Sequence, residues 1–373
     1  MEERKINCSI CGETYPEFED VSIDDKHLCY NCGVIHTVVC RRCGKRIWRN
    51  DSIDEDLCES CYNEFYTRCC DCGEVILYED AFYTHDDEES REHSYCSCCF
   101  PSHETDVAIH DYYYHPEPIF YGASKDNRYY GVELEIDEGR ELESSAQDLL
   151  DIANKKNFHA YCKHDGSLDA GVEIVSHPMS LDYHINEMPW KEVMQRAIRS
   201  GYLSHQAYTC GLHVHISRAG LGDTYEEQEC AIAKILYFYE KFWNEILHFS
   251  RRTPEQAERW ARRYGGGVDT PKKTLEHAKS SNFGRYMAVN LENANTVEMR
   301  IFRGTLKYST FVASLQFVDE VCRVATSLCD DLIQSMSWLD FVQIIPKDKK
   351  ELITYLKARR LYINEPVEEE EEI

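Results

Sequence analysis

Between Gly211 and Ser217 apolar and polar residues alternate without a break, Leu212, Val214 and Ile216 against His213, His215 and Ser217. Successive side chains of an extended chain point to opposite faces, so this segment predicts a half-buried strand with two imidazoles together on its polar side. The same period of two returns in Gly131-Val-Glu133-Leu-Glu135-Ile-Asp137, in Gly171-Val-Glu173-Ile-Val-Ser-His177 and in Thr296-Val-Glu298-Met-Arg300-Ile. Each segment offers one side to a core and a row of short acids, imidazoles or guanidinium to something else. Gathered in one sheet, those rows would close a cage of oxygen and nitrogen ligands suited to Mg2+ or Mn2+. The plainer reading is a wet face, since antiparallel sheets commonly expose one side. Against it, no lysine interrupts the four rows, and clustered carboxylates repel one another unless a cation joins them.

Helical periodicity fills the intervals. Ser144 or Ser145 can cap a helix to about Lys156, with Leu149, Leu150, Ile152 and Ala153 on its buried side. Further helices are expected at Trp190 to about Ser200, Glu226 to Phe249, about Arg251 to Arg263 after Pro254, about Thr310 to Met336, and Lys349 to Arg360. The aromatic stripe of the Glu226 helix reads as core. Phe158 to Cys162 reads as a strand, Asp165 to Leu168 as a turn, and Phe283 to Phe302 as a hairpin turning around Asn290 to Asn295. These elements predict an α+β domain over residues 128–345, an antiparallel sheet with helices packed on one face, followed by a C-terminal helix and acidic tail at 346–373. Glu368 to Glu372 is expected to be disordered. Residues 106–127, with clustered tyrosines, Pro116 and Pro118, read as an extended linker. Gly265-Gly266-Gly267, flanked by Arg262, Arg263, Lys272 and Lys273, is either a surface loop or a basic lid over a triphosphate. No Gly-x4-Gly-Lys-[Ser/Thr] pattern exists, so a P-loop is excluded.

Composition narrows the partners. A net charge of -26 with 43% hydrophobic residues describes a chain able to build a core and strongly acidic for its 373 residues. Bulk attraction to nucleic acid or an anionic membrane is disfavoured. The start lacks the apolar stretch of a secretory signal, no apolar run approaches the roughly 20 residues of a spanning helix, and a cytoplasmic protein is expected.

Cysteine spacing organises the remainder. Cys8-x2-Cys11 with Cys29-x2-Cys32, Cys40-x2-Cys43 with Cys58-x2-Cys61, and Cys69-x2-Cys72 with Cys96-x2-Cys99 repeat at a period near thirty over residues 1–105. Two residues between thiolates let a tight knuckle aim both sulfurs at one Zn2+, and Gly12, Gly44 and Gly73 close the first knuckle of each set. Three tandem four-cysteine zinc modules are predicted. A disulfide framework would not explain the repeated paired spacing. In the third module Cys70, Cys98, His85 and His93 are alternative ligands. This segment holds 10 Lys+Arg against 24 Asp+Glu, which favours docking of a protein partner over nucleic acid. The local exception is Arg41, Arg42, Lys45, Arg46 and Arg49, for which a solvated face is the simpler account.

Gly131-Val-Glu-Leu-Glu, Asp165-Gly-Ser-Leu with Gly171-Val-Glu-Ile-Val-Ser-His-Pro, Cys210-Gly-Leu-His-Val-His-Ile-Ser, Arg285-Tyr-Met-Ala-Val-Asn290 and Val297-Glu-Met-Arg-Ile-Phe-Arg-Gly304 resemble the ordered motifs of the amidoligase family. That family belongs to the carboxylate-amine ligases, with glutamine synthetase and glutamate-cysteine ligase as distant relatives, and the likeness covers roughly residues 110–330. The zinc repeats lie outside it, as fusions plausible in phage or bacterial members. The resemblance implies ATP-dependent formation of an amide or isopeptide bond through an acyl phosphate. It implies Glu133, Glu135, Glu173, His213 and Glu298 as Mg2+ or Mn2+ ligands, and His215, Arg300 and Arg285 at the nucleotide phosphates and the acyl phosphate, with Asn290 a weaker candidate. Asp165 and Ser167 either line a substrate pocket or simply form a turn. The substrates implied bear a carboxylate and an amine, peptide- or protein-borne ones included. Rival classes are a non-catalytic zinc-module adaptor and a hydrolase using His213 and His215 on Zn2+ or Cys210 as nucleophile.

Overall fold

Every alternating segment becomes a strand, and the strands lie side by side. The computed structural model describes residues 5–83, 93–100, 107–124, 126–265, 269–280 and 283–362. The chain divides into two compact units, residues 1–106 with 113–116 and residues 107–112 with 117–373. The second unit is built on a seven-stranded sheet of β1 (Ile109–His110), β2 (Tyr130–Ile136), β3 (Ala160–Lys163), β4 (Val172–Ser176), β5 (Gly211–Ser217), β6 (Val289–Asn290) and β7 (Thr296–Arg303), in the order β1-β3-β4-β2-β5-β7-β6. Its pairings are antiparallel except for β1 beside β3.

Register sets which polar side chains become neighbours. Glu135 lies opposite Glu173, and Glu173 opposite Lys163. Glu133 lies opposite His213; His215 lies opposite Glu298, and Glu298 opposite Asn290. Between Leu212, opposite Phe302, and Val214, opposite Met299, the register shifts, so His213 faces an extra residue on β7. This β-bulge absorbs the adjacent apolar pair Ile301 and Phe302, which strict alternation could not bury on one side, and both are buried. The carbonyls of the bulge are taken up by Arg252, whose Nε donates to Ile301 O at 3.1 Å and whose NH2 donates to Phe302 O at 3.2 Å.

Helices cover the apolar face. Val132, Leu134, Ile136, Leu212, Val214, Ile216, Val297 and Met299 are all buried there in one core. The helices include α1 (Glu143–Ala153), α2 (Trp190–Arg199), α3 (Tyr225–Lys241), α4 (Pro271–Ser280), α5 (Tyr308–Ser327) and α6 (Lys350–Ala358). The aromatic stripe expected at Glu226 to Phe249 is core: Phe238 packs on Phe341 with ring centres 4.8 Å apart, and Phe249 on Phe317 at 4.5 Å. Two helices are shorter than their periodicity implied. The Glu226 to Phe249 pattern divides at Phe242 into α3 and Trp243–Ser250, and the Thr310 to Met336 pattern ends as α5, its carbonyl at Leu328 accepting from Lys234 Nζ at 2.7 Å. Conversely, α4 forms where no helix was expected, its first turn holding the lysines that flank the glycine loop. Thr270 Oγ1 accepts from Lys273 N at 3.3 Å and Pro271 takes the first helical position, both N-terminal signals. Gly266, Gly267 and Glu368 to Glu372 lie outside the described residues.

His184 shows how β2 is tied to the helices. Its Nε2 donates to Tyr130 O at 2.8 Å while its Nδ1 accepts from Trp190 Nε1 at 3.1 Å, which fixes a neutral imidazole in the core. Burial pushes its pKa down to about 4. Because the folded pKa lies below the unfolded one, near 6.5, stability is complete above that value and falls as pH drops toward 4. The loss attributable to His184 approaches roughly 3 kcal/mol. The urea-unfolding midpoint is expected to fall between pH 7 and pH 4.5, and His184→Leu, less stable at pH 7, is expected to show a shallower fall.

Candidate functional site

In the first unit the cysteines meet as their spacing required. Cys8, Cys11, Cys29 and Cys32 form one group, Cys40, Cys43, Cys58 and Cys61 a second, and Cys69, Cys72, Cys96 and Cys99 a third, each with its sulfurs within 4.8 Å of one another. Cross-knuckle Sγ separations are 3.8 Å for Cys11 and Cys29, 3.8 Å for Cys43 and Cys58, and 3.7 Å for Cys72 and Cys96. These are far beyond a disulfide bond and match the edge, about 3.8 Å, of a tetrahedron with Zn–S near 2.3 Å. Gly12, Gly44 and Gly73 each hold a positive φ of 72 to 75° that turns the knuckle, and each amide donates to the carbonyl of the first cysteine at 2.9 Å. Burial opposes ionisation of Cys8, but the amides of Cys11, Cys29 and Ile10 outweigh it and bring its thiol down to about 6, as the corresponding amides do for Cys40 and Cys69. The donor set therefore fits Zn2+ as thiolate ligand. Cys70 and Cys98 are exposed and outside the third group, His93 is exposed as well, and His85 lies outside the described residues. The basic cluster is engaged internally: Arg41 pairs with Asp54 at 2.9 Å and Asp56 at 2.6 Å, and Arg49 donates to Val34 O and Ile35 O at 2.9 Å.

On the sheet, the polar face is not wet. Glu135, Glu173, His213 and Glu298 are 2 to 4% exposed, so a solvated surface does not account for them. Register places them in contact. Glu133 bridges both imidazoles, its Oε2 3.0 Å from His213 Nδ1 and its Oε1 3.0 Å from His215 Nε2. Glu298 Oε1 lies 3.6 Å from His213 Nδ1 and 3.9 Å from His215 Nε2. Two overlapping sets of possible ligand atoms result, Glu133 with His215 and Glu298, and Glu133 with Glu173 and His213, each within 4.8 Å. Glu135 Oε1 is 3.5 Å from His213 Nε2, and its Oε2 accepts the Gly211 amide.

The electrostatics record this crowding. Burial works against the charge on Glu133, yet His215 and the hydrogen bonds from both imidazoles hold its carboxyl well below the usual range. Burial and then Glu133 push Glu173 well above it, opposed by Lys163. Despite burial, Glu133 and Glu298 raise His215. Acids outnumber cations here, and a divalent ion would complete the balance.

Cations ring the acids. Arg300 pairs with Glu298 through NH1, and its Nε is buried without a partner. Arg285 donates to the hydroxyl of Tyr112 and, at 3.0 Å, to that of Tyr286, whose ring also lies 5.8 Å from the Arg300 guanidinium. Asn290 Nδ2 donates to Glu298 Oε2 at 2.8 Å, orienting that carboxylate. Lys272 and Lys273 are not gathered with the rest: they are exposed on α4 and pair along it, with Glu276 at 3.9 Å and Asp269 at 2.8 Å. Asp165 Oδ1 accepts Ser167 N at 2.7 Å, a turn-forming bond. Cys210 is buried, and burial pushes its thiol up, which disfavours a nucleophile.

Several contributors were not singled out by the sequence. Lys163, one residue past the expected strand, puts Nζ 3.2 Å from Glu173 Oε2; Arg252 lies in the expected Arg251 helix, Tyr286 in the expected hairpin and Tyr112 in the expected linker, none of them marked as a site residue. For Lys163 the signal was the continuation of the β3 alternation by one position.

A family described as "Putative amidoligase enzyme" matches residues 151–322, a span that contains Glu173, His213, His215, Arg285, Glu298 and Arg300 and begins after Glu135. The resemblance carried by the motifs is thus shown over that span and supports an enzyme of the ligase class. None of the curated proteins matches the chain. Among solved structures, a bifunctional glutathione synthetase from Pasteurella multocida is similar at 11% identity with a TM-score of 0.35, over 63% of this chain and 46% of that one. The chain therefore spans less than half the length of that enzyme.

Elemental analysis is expected to return three Zn2+ per chain, falling to two in Cys58→Ser. A Cβ on Gly211 would come within 2.7 Å of His213 Nε2 and 2.9 Å of Arg252 NH2. Gly211→Ala should therefore displace both groups and cost about 1–3 kcal/mol in denaturant unfolding.

Proposed function

We propose that this chain, amidoligase-like over residues 151–322, is an ATP-dependent carboxylate-amine ligase that forms an amide or isopeptide bond through an acyl phosphate at a Mg2+ or Mn2+ site. The observation that carries this reading is the meeting of Glu133, Glu173, His213, His215 and Glu298 in one buried basin with Arg300 on its wall. Carboxylate and imidazole donors suit a divalent ion of this class. Glu133, Glu135, Glu173, His213 and Glu298 would hold it. Bound there, the ion would neutralise charge on the phosphate oxygens of ATP.

The chain's own residues supply orientation and the remaining positive charge. In the first step a carboxylate oxygen of one substrate attacks the γ-phosphorus, the bond to the β-phosphate oxygen breaks, and ADP leaves. Arg300, with its unpartnered buried Nε, is placed to hold the transferring oxygens, and Arg285 approaches from the same side through Tyr286. In the second step the amine attacks the acyl carbon, phosphate departs with the C–O bonding pair, and the amine loses a proton. Side-chain exposure is 18% for His215 against 4% for His213, so His215 is the imidazole that faces the phosphates. Both units would then have a part: Phe18, Tyr30, Val34 and Ile35 of the first zinc module are more than half exposed, an apolar surface that suits a protein partner, including one bearing the carboxylate or the amine.

A specific observation also keeps the adaptor reading open, because Lys163 and Arg300 already neutralise two of the acids. Turnover separates the two. Release of ADP and phosphate should require Mg2+ or Mn2+ and an amine acceptor, and Glu298→Gln or His213→Ala should each lower it about 100-fold or more while retaining the parent's thermal midpoint within a few degrees. Turnover that is indifferent to both substitutions would sink the ligase assignment.

A further inference from the structure

One cavity of the second unit is lined in a way its overall charge does not anticipate. In a chain of net charge -26, a space of about 490 Å³ is bounded by Arg251, Arg252, Arg303 and Arg359 with His205 and His248, and among the described residues no carboxylate lines it. Among the described residues none of these four arginines forms an ion pair. Three other buried or half-buried cations of this unit do: Lys163 pairs with Glu173, Arg263 with Glu240, and Lys349 with Asp319.

The guanidinium groups are positioned without being neutralised. Arg251 NH2 donates to Arg303 O at 3.2 Å and its NH1 meets His205 Nδ1 at 3.2 Å. Arg303 NH2 donates to His205 O at 2.6 Å, and its Nε is buried without a partner. Arg359 NH2 donates to His248 O at 2.7 Å, and Arg252, 7% exposed, is anchored on the carbonyls of the β7 bulge. Backbone carbonyls fix geometry but cancel little charge, so four like charges are held close. Burial lowers the pKa of Arg251, opposed by Tyr355 and reinforced by Arg303 and Arg359, and burial followed by its three arginine neighbours brings His205 down to about 4, which keeps it a neutral hydrogen-bonding group. A planar fork with fixed orientation is the side chain that recognises phosphate and carboxylate, and the volume is that of a small-molecule site.

We infer that this arginine cavity binds a polyanionic small molecule, one carrying clustered phosphate or carboxylate groups. It shares a wall with the acidic basin, since a Cβ on Gly211 would approach both His213 and Arg252, but its own groups are different and the inference does not rest on the ligase reading. Phosphate and carboxylate sources are separable by probe.

Titration calorimetry on the full chain at low ionic strength, without added divalent metal, would use inorganic pyrophosphate and tricarballylate. The expected result is saturable binding of at least one probe at one per chain, weakened roughly tenfold or more by Arg359→Gln and by Arg303→Gln, and partly restored by Arg359→Lys. Lys156→Gln, which makes the same change in net charge at a surface pair with Glu187, should bind as the parent does. The stronger probe names the source. Absence of saturable binding, or affinity unchanged by both arginine substitutions in chains that keep the parent's thermal midpoint, overturns the inference. Probe binding in a chain with no ATP turnover would count against the ligase reading alone.

Discussion

Carboxylates buried side by side on a sheet face govern the second unit. Glu133, Glu135, Glu173 and Glu298 are drawn together by strand register, where mutual repulsion and loss of hydration both act against the folded chain. Two imidazoles, one ammonium and one guanidinium offset part of that cost. Much of the surrounding architecture exists to hold the acids and their partners in place: Asn290 orients Glu298, Thr296 meets His215 Nδ1 at 3.2 Å, and the Gly211 amide anchors Glu135. A face built this way is suited to charge that arrives with a ligand rather than to contact with water.

The rest of the unit keeps that face rigid. Residues of the opposite face are buried almost without exception in a single core with α3 and α5, so none of the strands can slip by one position without exchanging acids for aliphatic side chains. The zinc modules solve a different problem. Segments of about thirty residues cannot bury enough apolar surface to fold alone, and tetrahedral thiolate sets supply the missing constraint.

Much of this was legible in the sequence because it depends on local rules. Alternation marked β2, β4, β5 and β7 and assigned their acids and imidazoles to one face, and cysteine spacing marked the three thiolate sets that the fold assembles. What was not legible depends on which strand neighbours which. Lys163 matters only because β3 lies beside β4, and Arg252 only because β7 bulges, and neither fact is encoded near those residues. The pair Lys272 and Lys273 shows the opposite failure: a glycine run upstream suggested a basic loop, while the Thr270-Pro271 start signal specified a helix that pairs Lys272 with Glu276 and Lys273 with Asp269 just before it.

The bulge in β7 has one more implication. In an ideal strand, positions an odd number of residues apart face opposite ways, yet the register that pairs Glu298 with His215 and Arg303 with Gly211 puts both on one face of the sheet, where they serve compartments of contrary sign. The inserted residue resets the phase once, so a single segment lends its first half to an anionic chamber and its last side chain to a cationic one. The phase of the segment between Glu298 and Gly304 is therefore a tighter constraint than its composition. Regular pairing of the same residues, without the bulge, would turn Phe302 away from the core and Arg303 into it, whereas many conservative replacements would leave both compartments standing.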